Sequence, residues 1–201
     1  MFDITTYNQK RSKEEFFAWL SEWSSEIATL DGMQRILRRD RGTKKIFEEA
    51  LAIRKYIIQF YQESDVSVEL REGNQNFDAV LYDPLDVVIE YIEVTCVPQE
   101  KDHDLRYELA DKGQYSFRTR LEYRPSYLDY AKEVSAAIMK KLAKVYPTPT
   151  TLLVTLSPDL IVEEDETFDF VIKHLKPGLT SGRFSKIVIF DLPGTHWHIV
   201  R

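Results

Sequence analysis

Several features that would assign this chain to a class are scarce or missing from its 201 residues. Cys96 is the only cysteine, which excludes an intrachain disulfide or a zinc site built on several thiolates, and which indicates a reducing compartment. No apolar run reaches the roughly 18 residues that a membrane span needs. The first residues also lack the apolar stretch of a secretory signal. We therefore expect a soluble cytoplasmic protein.

The common nucleotide-binding and hydrolase signatures are missing as well. The chain has no P-loop, no dinucleotide glycine fingerprint, no His-Glu-x-x-His and no Gly-x-Ser-x-Gly. Its 27 basic residues face 33 acidic ones, and the resulting net charge of −6 is not typical of proteins that rely on non-specific attraction to phosphate. A nucleic-acid surface on this protein would have to be local.

What the chain does have is enough apolar material for a folded core. Hydrophobic residues make up 43% and aromatic residues 12% of the sequence. The length predicts one domain spanning residues 1–201, with an N-terminal helical segment at 1–42 and a core at 43–201.

The spacing of apolar residues changes between helical and strand periods along the chain. Ser12 and Glu15 form a capping box before the first helix, Asp31 is placed to cap a second, and Thr43 begins a heavily buried third. A charged stretch from Gln99 to Ser126 is too long for an ordinary connection. The remaining predicted elements are strands at 66–70, 77–82, 87–97, 151–156 and 186–190 and helices at 128–145 and 168–175. This order predicts an α/β fold with some α+β character, in which a central mixed sheet with a three-stranded meander is flanked by helices.

Two carboxylates fall on neighbouring strands of the predicted meander. Asp78 begins the second strand, and Glu93 lies within the third, two residues before Thr95. Because side chains alternate along a strand, Glu93 and Thr95 share one face, and Asp78 can project beside Glu93 if the strands pair. Two converging carboxylates with water suit Mg²⁺, which makes a bound water nucleophilic. Asp78 and Glu93 are therefore candidate metal ligands.

The element order and the residues Asn76-Phe77-Asp78-Ala79-Val80 and Glu93-Val94-Thr95 resemble the core of the PD-(D/E)XK nuclease superfamily. The resemblance covers roughly residues 43–156 and implies a restriction-endonuclease-like core. It implies that Asp78 and Glu93 bind the metal, and that Glu48 or Glu49 on the preceding helix, Glu49 in our assignment, adds a further acidic ligand. Thr95 stands where the family has lysine, and its hydroxyl supplies no positive charge.

Three explanations are compatible with the absence of that lysine. Lys132, on the helix after the third strand, is the preferred candidate for this catalytic role, since the family sometimes moves its lysine to a neighbouring element. Lys101 or Lys112 could fold over the site from the charged stretch. The third alternative is that cleavage has been lost.

Two basic clusters are candidates for contacts with phosphate groups. Arginine suits bidentate recognition of phosphate, and aromatic residues can stack on bases. The first cluster comprises Arg35, Arg38, Arg39, Arg41, Lys44 and Lys45, and the second comprises Arg118, Arg120 and Arg124 interleaved with Phe117, Leu121 and Tyr123. A solvated face paired with nearby acids is the alternative for both clusters.

Near the carboxyl end, His196 and His198 flank Trp197, with Asp191 close in sequence. A His-x-His metal site is conceivable there, but no third ligand is evident. We prefer a terminal strand with exposed imidazoles.

These observations favour a divalent-metal-dependent nuclease-like protein that acts on DNA phosphodiester bonds with Mg²⁺ as cofactor. One alternative is a catalytically inactive nuclease-fold protein that binds nucleic acid or a protein partner. Another is an unrelated α/β scaffold. We expect DNA and not a membrane as the partner, and we leave a homodimer open.

Overall fold

The structure is a computed structural model, and it describes residues 6–27, 45–73, 75–97, 127–156, 164–191 and 194–201. Within those ranges, no helix has the length and apolar character that crossing a membrane requires. The elements in chain order are β1 (Lys10–Ser12), α1 (Lys13–Ile27), a π-helix (Ile46–Ala50), α2 (Leu51–Phe60), β2 (Ser67–Leu70), β3 (Ala79–Tyr82), β4 (Val88–Val97), α3 (Tyr127–Leu142), β5 (Thr150–Leu156), α4 (Glu164–Lys173), β6 (Lys186–Asp191) and β7 (Trp197–Val200).

The first helix begins with the predicted capping box. The Ser12 N–H donates to Glu15 Oε2 at 2.8 Å, and the Glu15 N–H donates to Ser12 Oγ at 3.2 Å, so two donors at the helix start are satisfied. The apolar face of α1 buries Phe16, Leu20 and Trp23. The predicted second helix after Asp31 lies outside the described residues.

The predicted third helix is present, but it starts with a π-helical segment. Residues Ile46–Ala50 form the π-helix, and α2 continues directly from it. Ile46, Ala50 and Ile53 are fully buried, as the apolar pattern predicted. Such π-helical segments are rare and occur frequently at functional sites.

The seven described strands form one mixed sheet in the order β1-β2-β3-β4-β5-β6-β7. Strands β1 to β4 are antiparallel, β5 and β6 run parallel to β4, and β7 is antiparallel to β6. Parallel neighbours need a crossover connection, and α3 and α4 lie in the two that follow β4 and β5. The predicted meander is β2-β3-β4. The α/β class with a central mixed sheet and flanking helices is confirmed.

Each face of the sheet carries its own core. On the face covered by α1, the π-helix and α2, the buried residues include Phe16, Leu20, Ile46, Ile53, Tyr56, Ile92, Val94, Leu153 and Phe190. On the face covered by α3 and α4, they include Val97, Tyr130, Val134, Ile138, Leu152, Val154, Phe168, Val171 and Ile189. Glu93 pairs in register with Leu152, so its side chain lies on the α3 face.

Candidate active site

Asp78 is fixed against β4 at the point where β3 begins. Ala79 pairs with Ile92, and one residue earlier the Asp78 N–H donates to the Ile92 carbonyl at 2.7 Å. Asp78 Oδ2 in turn accepts the Val94 N–H at 2.7 Å. Asp78 therefore lies just before β3 against the segment of β4 from Ile92 to Val94, which includes Glu93. Glu93 is buried, at 5% exposure.

A lysine does reach this acidic pair, but it is Lys141. Its ammonium forms an ion pair with Glu93 Oε1 and donates to the Val94 carbonyl at 3.3 Å. The side chains of Lys141 and Glu93 are only 19% and 6% exposed, so the ion pair is shielded from water. Lys141 stands in the last turn of α3, where a positive charge is also favoured by the helix dipole.

The expected orientation of Lys132 is wrong. Its ammonium bonds Asp129 Oδ1 at 2.7 Å, and both side chains are at least 60% exposed. At 3.6 residues per turn, Lys132 and Lys141 are about two and a half turns apart and project from opposite sides of α3. Lys132 therefore faces solvent, whereas Lys141 faces the sheet.

Glu49 approaches the same site from the π-helix. Its Oε2 accepts a hydrogen bond from the Tyr7 hydroxyl at 2.8 Å. Among charged groups, Glu49 contributes most to the raised pKa of Asp78, so of Glu48 and Glu49 it is Glu49 that acts on the acidic pair. Tyr7 is fully buried, and burial together with the charge of Glu49 raises its pKa.

The pKa of Asp78 is raised by its surroundings. Burial raises the pKa of Asp78 most, the charges of Glu49 and Glu93 add to it, and the result is about 7 instead of 3.8. The Val94 N–H and the Lys141 ammonium act in the opposite direction. Among the described residues, Lys141 is the cation that lowers the pKa of Asp78.

Thr95 lies two residues beyond Glu93 on β4, on the same face and half-buried. A threonine hydroxyl carries no charge, so it cannot offset the carboxylates. In this structure the positive charge comes from a helix instead of the strand. Lys141 was not predicted from the sequence, because the resemblance leads one to expect a lysine at the position of Thr95, directly after Val94.

The nucleic-acid contacts predicted from sequence fall almost entirely outside the described residues. This holds for Arg38, Arg39, Arg41, Arg118, Arg120 and Arg124. Lys101 and Lys112, the other candidates to replace the missing lysine, also lie outside the described residues. Of the two basic clusters, the described part of the chain includes only Lys45, whose ammonium lies 5.1 Å from the centroid of the Tyr7 ring.

The histidines near the carboxyl end belong to a structural turn. Asp191 Oδ1 accepts the N–H groups of Gly194, Thr195 and His196 at 2.9, 2.7 and 3.0 Å. The His196 ring contacts Asp191 Oδ2 at 2.9 Å. The preferred prediction of exposed imidazoles is therefore wrong for His196, which ties β6 to β7. Burial raises the pKa of Asp191, but the hydrogen bonds from Thr195 and His196 together lower it by more, so the pKa lies below its ordinary value.

Another buried acid, Glu90, lies on the face of the sheet opposite Glu93. It accepts hydrogen bonds from the Tyr56 and Tyr61 hydroxyls at 2.7 and 2.6 Å and from Thr151 Oγ1 at 2.6 Å. Neutral donors therefore satisfy both carboxylate oxygens. Glu90 has the environment of a structural acid, in contrast to the acids around Asp78.

The described residues contain no group of three or more His, Cys, Asp or Glu side chains arranged to hold a metal ion among themselves. Comparison of the chain with protein-family models, curated protein sequences and solved structures found no match.

Proposed function

We propose that this protein is a divalent-metal-dependent nuclease that hydrolyses DNA phosphodiester bonds at the Asp78–Glu93 pair. The observation that carries the proposal is the ion pair between Lys141 and Glu93 beside the anchored Asp78. The PD-(D/E)XK superfamily combines two acids and one lysine, and the chain resembles that superfamily in its element order and in Asp78 and Glu93. Lys141 takes the role that Thr95 cannot fill.

The order of elements supports the same proposal. A buried helix precedes the β2-β3-β4 meander, and α3 and β5 follow it. Asp78 precedes β3 and Glu93 lies in β4, the positions that the resemblance assigns to the two acids. Glu49, from the helix before the meander, matches the additional acid that members of that superfamily often supply. A restriction-endonuclease-like core is therefore part of the proposal.

The residues present fit Mg²⁺. This ion is usually held by one or two carboxylates together with waters and substrate phosphates, so a cage of three protein ligands is not required. Asp78 and Glu93 would supply the carboxylates, and Glu49 would support them through a bridging water. The raised pKa of Asp78 is consistent with a site whose negative charge is incompletely compensated. When bound, Mg²⁺ would polarise a phosphoryl oxygen and lower the pKa of a coordinated water.

The side chains have distinct roles around such a centre. Lys141 is held by Glu93 and the Val94 carbonyl, so its ammonium is positioned without needing a substrate. It would orient the attacking water and offset negative charge that develops on the phosphoryl group. Asp78, held by the Val94 N–H, keeps a fixed position while its charge changes. The Thr95 hydroxyl is available to orient a water.

One alternative has its own support. Thr95 in place of lysine and the net charge of −6 favour a catalytically inactive protein of the same fold that binds nucleic acid or a protein partner. In that protein the Lys141–Glu93 ion pair would serve stability alone.

A cleavage assay with matched variants tests the proposal. Wild-type protein is incubated with linear and supercoiled duplex DNA in Mg²⁺, in Mn²⁺ and in EDTA, and Asp78→Asn, Lys141→Met and Lys132→Met are compared. We expect metal-dependent cleavage that Asp78→Asn and Lys141→Met reduce at least about 100-fold and Lys132→Met leaves unchanged. Lys132→Met removes the same charge from the solvent face of α3.

A metal titration by calorimetry provides a second, activity-independent measurement. Asp78→Asn should weaken Mg²⁺ or Mn²⁺ binding by at least about tenfold, while Lys132→Met should not. Metal and DNA binding without cleavage would support the inactive alternative. Absence of both cleavage and DNA binding at low salt would contradict the nuclease and a nucleic-acid-binding role together, and would leave a protein-interaction module.

A further inference from the structure

The short stretch of chain before the first helix is held in place by a buried arginine. Arg11 is 8% exposed, and its guanidinium donates to the carbonyls of Thr6 and Gln9, the latter at 2.9 Å. The guanidinium also lies over the Trp19 ring of α1, 4.4 Å from the ring centroid. A planar group with several donors in a fixed geometry restrains the backbone that it binds. Residues 6–9 therefore form an N-terminal segment with a defined position against α1.

Within this N-terminal segment, Tyr7 reaches the π-helix. Its side chain is fully buried, and its ring meets the Trp19 ring edge-on with the centroids 6.4 Å apart. The Tyr7 hydroxyl donates to Glu49 Oε2 at 2.8 Å. Because a packed ring leaves its hydroxyl few orientations, one carboxylate oxygen of Glu49 is fixed by a group that lies 42 positions earlier in the chain.

The same segment contacts the loop that leads into Asp78. The side-chain oxygen of Asn8 accepts the Glu72 N–H at 2.8 Å. Directly before Glu72, the Arg71 N–H donates to the Asp78 carbonyl at 2.7 Å. Tyr7 and Asn8 are adjacent residues, so the N-terminal segment joins the π-helix to the start of β3. A continuous path of hydrogen bonds and peptide bonds therefore connects the two acids at its ends.

The two acids joined in this way suit a cation. Glu49 and Asp78 are each half-buried, so neither is closed off from solvent. The charge of Glu49 raises the pKa of Asp78, which agrees with the path of bonds between them. Carboxylate oxygens and water are the ligands that Mg²⁺ takes in proteins. Carboxylates that bind metal are themselves held by hydrogen bonds, and loss of such a bond typically weakens metal binding by about 10- to 100-fold.

We propose that Tyr7 is a positioning residue for divalent-cation binding, because its hydroxyl fixes the Glu49 carboxylate beside Asp78. The inference rests on the proposed nuclease function, and it makes the N-terminal segment part of the site. Tyr7 acts through Glu49, to which its hydroxyl already donates. No covalent bond to Tyr7 forms or breaks.

Tyr7→Phe isolates the hydroxyl because it keeps the buried ring. Tyr56→Phe is the matched control, since Tyr56 is also fully buried and its hydroxyl donates to another acid, Glu90 Oε1, at 2.7 Å. Glu90 is not among the proposed metal ligands. Each variant loses one hydrogen bond between a hydroxyl and a carboxylate, so each should unfold at a lower temperature than wild type in EDTA.

Only Tyr7→Phe should affect the cation. In calorimetric titrations with Mg²⁺, we expect about tenfold or more weaker binding by Tyr7→Phe and a change of less than about twofold in Tyr56→Phe. The titrations are run in sucrose, which favours the folded state, so that a destabilised variant stays folded. A purely structural role of Tyr7 predicts the same Mg²⁺ affinity for both variants.

Glu49→Gln tests whether Tyr7 acts through Glu49. This substitution alone should weaken Mg²⁺ binding by about tenfold. Adding Tyr7→Phe should then weaken it by less than about twofold more, since no carboxylate remains to be positioned. The double variant leaves no charged acid without its donor, so it gives a result even if Tyr7→Phe alone does not fold.

The outcomes separate this inference from the nuclease proposal. If wild type binds Mg²⁺ and either Tyr7→Phe or Glu49→Gln binds it equally well, the role of Tyr7 is overturned and the nuclease proposal stands. The role of Tyr7 is also overturned if Tyr56→Phe weakens binding as much, or if Tyr7→Phe still weakens binding about tenfold in the Glu49→Gln background. A wild-type protein that binds neither Mg²⁺ nor Mn²⁺ overturns the metal site itself, and both proposals with it.

Discussion

Asp78→Asn should stabilise the metal-free protein, although it removes a proposed ligand. The pKa of Asp78 is about 7 instead of 3.8, so ionising this side chain in the folded protein is unfavourable by about 4 kcal/mol at 1.4 kcal/mol per pKa unit. Asparagine keeps the shape of the side chain and an oxygen that can accept the Val94 N–H. The substitution therefore removes the charge and keeps the hydrogen bond.

The effect must depend on pH in a defined direction. Below about pH 4, Asp78 is protonated in both the folded and the unfolded protein, so it contributes no penalty. As the pH rises from 3.8 to about 7, the unfolded chain releases this proton while the folded protein retains it, and the folded state loses stability. Above about pH 8, Asp78 is ionised in both states and the penalty stays constant.

Urea unfolding of the metal-free protein in EDTA measures the difference. The free energy of unfolding of Asp78→Asn should exceed that of wild type, and this excess should be about 2–3 kcal/mol larger at pH 8 than at pH 5. The control is Asp65→Asn, at an exposed position, which should change stability by less than about 0.5 kcal/mol at either pH. Because Asp65→Asn also removes one negative charge, comparison with it separates the effect at Asp78 from the general effect of net charge.

Two results would refute this account of the site. One is a stability difference that is equal at pH 5 and pH 8, because the charge of Asp78 would then carry no penalty. The other is a destabilised Asp78→Asn at pH 8. If the site binds Mg²⁺, the added ion should stabilise wild type more than Asp78→Asn, since a ligand stabilises only a folded protein that binds it. The difference between their free energies of unfolding at pH 8 should therefore become smaller.

Three further substitutions have outcomes that follow from the structure. Lys141→Met leaves Glu93 buried without its cation, so the free energy of unfolding at pH 8 should fall by about 3 kcal/mol. Lys132→Met should change it by less than about 0.5 kcal/mol. Equal effects of the two substitutions would contradict the different surroundings assigned to the two lysines. Glu90→Gln places an amide donor against hydroxyl donors and should cost about 1–3 kcal/mol in urea unfolding, and an unchanged midpoint would refute that hydrogen-bond network. Ser12→Ala should lower the free energy of unfolding by about 1 kcal/mol in the same measurement, because it removes the side chain that caps α1. An unchanged free energy of unfolding would mean that the capping box contributes nothing.

The helices and strands could largely be predicted because each shows a clear apolar period. The apolar stripe of α3 recurs in the structure as Ala131, Val134 and Ile138, all fully buried. Strand β1 was not predicted, since its three residues are too few to show a period. The π-helical start of α2 was not predicted either, because the apolar spacing of residues 46–61 fits a helix of either kind.

The candidate site was only half predictable. The sequence indicated that Asp78 begins the second strand of the meander and that Glu93 lies within the third, and in the structure Asp78 contacts the residues of β4 on either side of Glu93. The choice of lysine depended on where α3 crosses the sheet, which is a tertiary property. Lys132 was selected for being close to β4 in sequence, and Lys141 is the residue whose direction from α3 matches the position of Glu93.

The polar clusters away from the site were beyond prediction for a related reason. Glu90 accepts hydrogen bonds from Tyr61, the residue after α2, and from Thr151 on β5. Its partners therefore come from distant parts of the chain. Nothing in the sequence around Glu90 distinguishes it from Glu93, three residues later. The difference arises from the face of β4 on which each side chain lies, one against tyrosine hydroxyls and the other against Lys141.

The placement of the lysine on a helix also changes what keeps the site intact. A lysine on β4 would be held by the sheet, whereas Lys141 depends on the packing of α3, in which the buried Ile138 is three residues earlier. The helix dipole also favours a cation in the last turn of α3, where Lys141 stands. Packing of α3 against the sheet is therefore the physical link between the stability of this fold and the chemistry that we propose for it.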